Sequence, residues 1–193
     1  MPDEAVIWEL SKADFLAAVS DLTAIYGAAM EAQPEELPTR RAIMERHSAN
    51  PGFRALGVTE GNRGRFVAFT YGFRGVPGQW WHDVVKNGLI STSGPAVATQ
   101  WLDYVLEVAE VHVRPEFQAR GIGRRMVVTL AAGRAEHTAV LSTRDADTPA
   151  HRLYRSLGFT DLLRDFVFPG GGPPYAVMGA RLPLAEQPIT TTT

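Results

Sequence analysis

The stretch of this chain that most constrains its fold is EFQARGIGRRM, residues 116–126. It follows VLEVAEVHVRP, whose β-branched residues predict a strand, and its last residues begin RRMVVTLAAGRAEH, which predicts a helix. Gly121 and Gly123 allow the backbone to turn tightly and to approach a ligand closely. The first N–H groups of a helix have no intrahelical acceptor and carry the positive end of the helix dipole. The turn therefore predicts an anion site, with phosphate as its usual ligand.

Three phosphate-binding motifs compete for this turn. The nucleotide P-loop ends in Gly-Lys-Ser/Thr, but here Gly123 is followed by Arg124 and Arg125. The dinucleotide fingerprint has a third glycine, where this chain has Met126. The pattern that remains is Gln-x-x-Gly-x-Gly, which Gln118, Gly121 and Gly123 satisfy.

Length and composition exclude several classes of protein. The 193 residues are enough for one domain with a sizeable core, and the absence of cysteine excludes a disulfide framework and a thiolate zinc site. The net charge of −2 argues against sequence-independent binding of nucleic acid, which needs a basic face. We find no secretory signal pattern and no apolar run of the ~20 residues that would span a bilayer. A cytoplasmic protein without nucleic-acid or membrane partners is expected.

The order of predicted elements indicates one mixed α/β domain over residues 1–183, followed by a disordered tail over 184–193. We see no internal repeat and no linker. Residues 75–100 are predicted to be irregular apart from a short helix in QWWHDVVKNGL. The other predicted helices are 11–30, 39–50, 124–137 and 149–158, and the predicted strands are 5–10, 53–60, 65–75, 101–113, 138–143, 159–168 and 175–182.

In two motifs the chain resembles the GCN5-related N-acetyltransferase family. VHVRPEFQARGIGRRM is similar to the strand, loop and helix with which that family holds the pyrophosphate of acetyl-coenzyme A, and AHRLYRSLGF is similar to a later helix of the family. The resemblance implies an α+β fold with a mixed central sheet of about six to seven strands flanked by helices. It also implies acetyl-CoA as acyl donor, no metal, and direct transfer of the acetyl group to a primary amine of a small molecule or peptide.

The resemblance also assigns the residues that would bind the acyl donor. The backbone of Val111, His112 and Val113 would pair with the pantetheine arm. The family often has glycine where this chain has Ala119, and an asparagine that bonds the pantetheine arm where this chain has Asp147, whose carboxylate accepts hydrogen bonds but cannot donate them. The residues assigned to the pyrophosphate are Gln118, Ala119, Arg120, Gly121, Ile122, Gly123 and Arg124.

The resemblance makes Tyr154 the group that protonates the departing thiolate. Ala150, Leu153, Tyr154 and Leu157 also form a helical stripe, so the alternative is that Tyr154 is only a core residue.

For the general base, the predicted strand 101–113 offers Glu107 first and Glu110 second. Glu107 stands eleven residues before Gln118, where one branch of the family has its glutamate base. Strict alternation would place Glu107 and Glu110 on opposite faces of the strand, whereas a β-bulge between them would bring them to the same face. The alternative for each is a solvated or ion-paired carboxylate.

The acceptor site is the least constrained part. The resemblance places it near the joint EAQPEELP, whose Glu31, Glu35 and Glu36 would suit a cationic amine, although a solvated acidic loop is the alternative. Trp80 and Trp81 are adjacent, so on a helix they cannot share one face. One of them can be buried while the other lines a pocket or a homodimer contact. Two further functions stay open: a non-catalytic acyl-CoA-binding sensor or scaffold, and a phosphate-binding interaction domain without coenzyme A.

Overall fold

The computed structural model describes residues 5–62 and 64–184, and it confirms a mixed α/β fold with a seven-stranded sheet. The strands lie in the order β1-β2-β3-β4-β5-β7-β6. Their bounds are β1 Ala5–Leu10, β2 Arg54–Glu60, β3 Phe66–Gly75, β4 Val105–Val113, β5 Thr138–Arg144, β6 Thr160–Phe166 and β7 Tyr175–Arg181. The α-helices are α1 Lys12–Met30, α2 Leu37–His47, α3 Trp80–Ser93, α4 Pro95–Leu102, α5 Ile122–Ala131 and α6 Pro149–Ser156. The predicted tail lies outside the described residues apart from Leu184.

The chain divides into two compact units, and the first comprises residues up to 74 together with 107–130. Its β1, β2 and β3 pair in antiparallel register. Helix α1 begins after Ser11, whose hydroxyl accepts a hydrogen bond from the backbone N–H of Asp14, as an N-cap does. Its buried face packs with residues of α2, β2 and β3 in one apolar cluster: Phe15, Val19, Leu22, Ile25, Tyr26, Met44, Ala55, Phe69, Tyr71 and Phe73.

Helix α1 corrects one expectation from the sequence. By length and composition it is long and apolar enough to cross a membrane, whereas no run of that length was expected. Phe15, Leu22 and Ile25 on this helix are fully buried within the described chain. A third of this apolar stretch is buried inside the described part of the chain, on the face that packs against the core.

The second unit comprises residues 75–106 and those from 131 onward. Its antiparallel strands β5, β7 and β6 pack with α3 and α4 around a cluster that includes Val85, Leu89, Ala98, Leu102, Val105, Val140, Leu163 and Val177. Trp80 is 60% exposed, whereas Trp81 packs against this cluster and its indole N–H donates to Ser142 Oγ at 3.2 Å. The two tryptophans therefore have different environments, as adjacent residues on a helix must.

Several element bounds differ from the predictions. Residues predicted to be mostly irregular form α3 and α4, and Trp101 and Leu102 end α4 instead of beginning the long strand. The run WLDYVL is apolar at both helical and strand spacings, so its periodicity does not decide between the two. Helix α5 ends at Ala131, before Gly133, whose φ is 69°. Helix α2 begins at Leu37 because Pro38 is compatible with a first helical turn.

Candidate functional site

The turn between β4 and α5 is closed by its own side chains. The Gln118 amide donates to the carbonyl of Val113 at 3.0 Å, and the Arg120 guanidinium donates to the carbonyl of Glu116 at 2.8 Å. Arg120 also lies over the ring of Phe117, 5.1 Å from its centroid. These contacts hold the exposed residues 118–121 in a defined turn at the start of α5.

The backbone of this turn has the form of an anion cradle. Ala119 has φ 59° and Gly121 has φ 76°, and left-handed residues that alternate with other conformations are typical of the backbone nests that bind anions. A Cβ built on Gly121 would meet no atom within 4 Å, which leaves open space beside the turn. Gly123, by contrast, lies in the first turn of α5 and does not have a positive φ. The need for glycine therefore rests on the backbone angle only at Gly121.

The other residues assigned to the acyl donor surround this turn. Ile122 is buried and packs in one cluster with Val111 and Val113. Arg125 donates to the carbonyl of Ala5 at 3.2 Å, which ties α5 to β1. The open concave turn, the first N–H groups of α5 and the nearby guanidinium of Arg120 fit a pyrophosphate group.

Strand β4 departs from strict alternation between Ala109 and Glu110. Ala109 packs against the cluster that contains Tyr26 and Tyr71, and Val111 packs against a different cluster. Glu110, the residue after Ala109, nevertheless pairs with Arg40 of α2, whose guanidinium also donates to the Tyr26 hydroxyl. Such a change of phase is what a β-bulge produces, and with alternation before Ala109 it places Glu107 and Glu110 on the same side of the strand.

Glu110 is a buried carboxylate whose two oxygens are both occupied. Oε1 accepts from Arg40 Nη1 at 2.9 Å, and Oε2 pairs with His112 Nε2. Arg40 also donates from Nη2 to the Tyr26 hydroxyl at 3.1 Å, and the Tyr26 ring contacts the His112 ring edge to face. Burial alone would raise the pKa of Glu110, but His112 and Arg40 outweigh it and hold that pKa below its usual range. Glu110 therefore stays ionised at neutral pH.

Glu107 has the opposite environment. It is 4% exposed, and its Oε2 is buried without a hydrogen-bond partner among the described residues. Burial raises the pKa of Glu107 from 4.5 to about 8. A buried carboxyl without a partner is costly to keep, so its presence in a well-packed strand points to a role in the site.

Tyr71 and His47 lie on the same side of the sheet as these carboxyl groups. Tyr71 is fully buried, and its hydroxyl lies 3.1 Å from His47 Nδ1. Burial lowers the pKa of His47 to about 4, so its imidazole is neutral at physiological pH. This side of the sheet thus brings together a buried ionised carboxylate, a buried protonated carboxyl and a tyrosine–histidine pair.

A pocket of about 380 Å³ opens beside Arg40 and Tyr26. Glu35, Glu36, Thr39 and Ile43 also line it. Two of the three glutamates predicted near the acceptor therefore border a pocket, whereas Glu31 ends α1 and is not among the lining residues. Arg40 connects this pocket to Glu110.

In the second unit, Tyr154 is 7% exposed on α6 and packs against Phe159, with ring centroids 5.8 Å apart. This burial is compatible with both a core residue and a thiolate donor. Asp147, the predicted departure, is exposed and pairs with Arg152 at 2.8 Å. Among residues 5–62 and 64–184, no group of three or more acidic or histidine side chains lies close enough together to hold a metal.

Sequence reasoning missed Tyr26, Arg40, His47 and Tyr71. No local pattern distinguishes them, since Arg40 is one of two adjacent arginines on a polar helix and Tyr26 and Tyr71 belong to ordinary apolar stripes. Arg40 and Glu110 are separated by 70 positions, so only the packed fold shows their contact.

In sequence, the chain is similar to a known family and to a curated protein. The family of FR47-like proteins matches residues 88–167. The chain is 41% identical over 122 residues to Rv2170 of Mycobacterium tuberculosis, named a GCN5-like protein acetyltransferase. The matched segment spans 61% of this chain and 59% of that relative, somewhat less than two thirds of its length.

Solved structures match over nearly the whole chain. The structure of yncA from Salmonella typhimurium, solved with its cofactor acetyl-CoA, has a TM-score of 0.64 at 19% identity and covers 97% of this chain and 99% of its own. The ribosomal-protein-S18-alanine N-acetyltransferase of Escherichia coli has a TM-score of 0.60 at 18% identity. The match covers 96% of this chain and 99% of that structure's chain. The fold is that of the GCN5-related N-acetyltransferases. The resemblance indicated by the two motifs is confirmed, and in this GCN5-related fold α3 and α4 occupy the segment predicted to be mostly irregular.

Proposed function

We propose that this protein transfers an acetyl group from acetyl-CoA directly to a primary amine. The observation that carries the proposal is on β4: the strand that leads into the anion cradle holds two buried carboxyl groups in opposite protonation states, Glu107 and Glu110. A site that only binds an acyl donor has no need of a buried carboxyl without a partner. Acyl transfer to an amine needs a proton acceptor, and Glu107 can serve as one, since the amine must lose a proton to become a nucleophile.

The acyl donor supplies an activated acetyl group on a thiol. In the proposed site the turn 118–123 and the start of α5 bind its pyrophosphate, and the backbone of residues 111–113 pairs with its pantetheine arm. The solved complex of yncA with acetyl-CoA on the same fold supports this assignment. Tyr154 protonates the departing sulfur. We propose no metal, because neither step needs a Lewis acid.

We assign the role of base to Glu107 and a positioning role to Glu110. Both oxygens of Glu110 are already bonded, whereas Glu107 has an unpaired oxygen. With a pKa of about 8, Glu107 is ionised in only a minority of molecules at pH 7, but it is matched to proton transfer near that pH. Turnover should therefore rise with pH up to about 8.

The acceptor amine is proposed to enter the pocket bordered by Glu35 and Glu36, where a cationic group is favoured. The name of the Mycobacterium tuberculosis relative, a protein acetyltransferase, supports an amine on a peptide or protein over a small-molecule amine. A cytoplasmic location, with no nucleic-acid or membrane partner, completes the proposal.

Thiol release from acetyl-CoA, measured with and without a panel of peptide and small-molecule amines, tests the function. We expect release only with an amine, and kcat at saturating amine should rise through about pH 8. Glu107→Gln should lower kcat by roughly 10²- to 10⁴-fold and abolish that rise. Tight binding of acetyl-CoA without turnover on any amine would instead favour the sensor or scaffold.

A further inference from the structure

We propose that Thr70 is a positioning residue, which holds the backbone of β4 at Glu110 and thereby sets the direction of the Val111 N–H in the acyl-donor site. The inference rests on the proposed function for the identity of the ligand. It concerns the ligand-free backbone and the binding of coenzyme A, and both can be measured without any transfer of an acetyl group.

Thr70 is a polar residue in a buried strand. It lies on β3, where residues 67–73 are all buried, and is itself fully buried. Its β-branched side chain suits a strand, but a buried hydroxyl needs a hydrogen-bond partner. The partner is the backbone carbonyl of Glu110, which accepts from Thr70 Oγ1 at 2.7 Å. The two residues are 40 positions apart, so the bond joins β3 to its neighbour β4.

This bond lies where β4 changes phase. Ala109 packs against the cluster that contains Tyr26, and the next residue, Glu110, pairs with Arg40, which donates to the Tyr26 hydroxyl. Two consecutive residues on one side of a strand disrupt the regular ladder of backbone hydrogen bonds. A buried carbonyl at such a point still needs a donor. The Thr70 hydroxyl supplies one from the adjacent strand.

Glu110 is held from both faces of the sheet. The neighbours of Thr70 on β3, Phe69 and Tyr71, pack in the cluster with residues of α1 and α2, so by alternation Thr70 faces the other side. The Glu110 carboxylate is bonded by Arg40 of α2, whereas its carbonyl is bonded by Thr70. The two bonds fix the side chain and the peptide group separately.

The peptide group after Glu110 carries this restraint to Val111. A peptide group is planar and trans, so the C=O of Glu110 and the N–H of Val111 point in opposite directions. A bond that fixes the carbonyl therefore also fixes the N–H. The proposed function pairs the backbone of residues 111–113 with the pantetheine arm, which makes the direction of this N–H part of the acyl-donor site. Thr70 acts there only through Val111.

Thr70→Val tests the inference, because it removes the hydroxyl and keeps the branched shape of the side chain. In the ligand-free protein the amide resonance of Val111 should move, as measured by NMR. The dissociation constant of coenzyme A should rise about tenfold, the upper end of what one displaced neutral hydrogen bond contributes, as measured by isothermal titration. Thr70→Ser keeps the hydroxyl and should keep both values near those of wild type.

Thr23→Val is the matched control. Thr23 is also buried in the first unit, and its hydroxyl donates to the backbone carbonyl of Val19 at 2.7 Å, within α1. The control loses the same kind of bond, so its melting temperature should fall about as much as that of Thr70→Val. Its Val111 resonance and its affinity for coenzyme A should not change. The comparison separates the loss of a buried hydrogen bond from the loss of backbone position.

Each outcome decides the inference. A moved Val111 resonance and weaker binding in Thr70→Val, with wild-type values in Thr70→Ser and Thr23→Val, support it. Wild-type affinity in folded Thr70→Val overturns it, and so does an equal loss of affinity in Thr70→Val and Thr23→Val.

Two further measurements keep the result interpretable. If Thr70→Val does not fold, Thr70→Ala and Thr70→Ser decide, because both lack the methyl group and only serine has the hydroxyl. Weaker binding in Thr70→Ala than in Thr70→Ser supports the inference, and equal binding overturns it. The expected changes in a protein that binds coenzyme A but acetylates no amine would refute the proposed function and leave the role of Thr70 standing.

Discussion

Glu107 and Glu110 are three positions apart on one strand, yet their surroundings hold them in opposite protonation states. Glu110 has a cation on one oxygen and an imidazole on the other, and the attraction outweighs the cost of burial. Glu107 is also buried away from water, but its Oε2 has neither a cation nor an imidazole beside it among the described residues, and burial raises its pKa. The difference between a fixed anion and a titrating carboxyl is therefore made by Arg40 and His112.

The raised pKa of Glu107 predicts how stability changes with pH. Because the folded value of about 8 exceeds the ordinary 4.5, the contribution of Glu107 is fully present below pH 4.5 and is lost as pH rises to 8. Each unit of pKa corresponds to about 1.4 kcal/mol, so the loss is on the order of 5 kcal/mol at most. The free energy of unfolding of Glu107→Gln minus that of wild type should therefore be larger at pH 9 than at pH 5. Urea unfolding at the two pH values measures this difference.

Glu110→Gln is the matched control for that measurement. The pKa of Glu110 is lowered, so its contribution to stability is present above the unfolded value and is lost as pH falls through the folded value. This variant should be less stable than wild type at pH 7. A constant difference between Glu107→Gln and wild type across the pH range would contradict a titrating Glu107.

Tyr154 tests the assignment of the thiolate donor. Tyr154→Phe keeps the ring that packs against Phe159, so the melting temperature should change little, with at most one hydrogen bond of roughly 1 kcal/mol lost. The resemblance predicts a fall in kcat of roughly 10²- to 10⁴-fold with little change in KM. Tyr154→Ala serves as the packing control and should unfold more easily. Full turnover in folded Tyr154→Phe would make Tyr154 a core residue only.

At the scale of elements, the cradle is a strand, a turn and a helix, and the turn contains two left-handed residues. Gly121 has φ 76° with open space around its missing Cβ, so a side chain there is opposed by the backbone angle and not by a clash within the protein. An alanine already holds the other left-handed position, Ala119.

Gly121→Val should weaken coenzyme A binding by more than about tenfold, because the side chain occupies the space that the phosphates need. The backbone cost to folding should be roughly 1–2 kcal/mol. Gly133→Val is the matched control, since Gly133 has φ 69°, also has no atom near its Cβ, and follows the other end of α5. Isothermal titration should show normal affinity in the control. Equal affinity in both variants would mean that the turn is not the phosphate site.

At the scale of the whole molecule, the ligand should act on the stability of the fold. Coenzyme A and acetyl-CoA at ~100 times their dissociation constants should stabilise the protein by about 2.7 kcal/mol. Adenine nucleotides without the pantetheine arm should do much less, because they lose the pairing with residues 111–113. A thermal melt with each ligand measures the difference. No shift at millimolar coenzyme A would contradict the proposed binding site.

Local patterns predicted the order of strands and helices where one period dominated. The strand 5–10, the helix 11–30 and the hairpin around GNRG agree with β1, α1 and the antiparallel β2 and β3. The prediction failed where apolar residues satisfy two periods, as in the run that ends α4. Burial of Ala98 and Leu102 on one helical face decides that case, and burial is a property of the packed unit.

By itself the sequence determined the strand–turn–helix unit around Gly121 and the absence of cysteine chemistry, because backbone angles and residue chemistry act locally. It also indicated the family through two short motifs. Only the tertiary structure decided which carboxyl group is ionised, that Ala109 and Glu110 interrupt the alternation of β4, and that Arg40, Tyr71 and His47 surround the site. Those outcomes depend on distances between residues far apart in the chain and on the exclusion of water, and neither is encoded in any short segment.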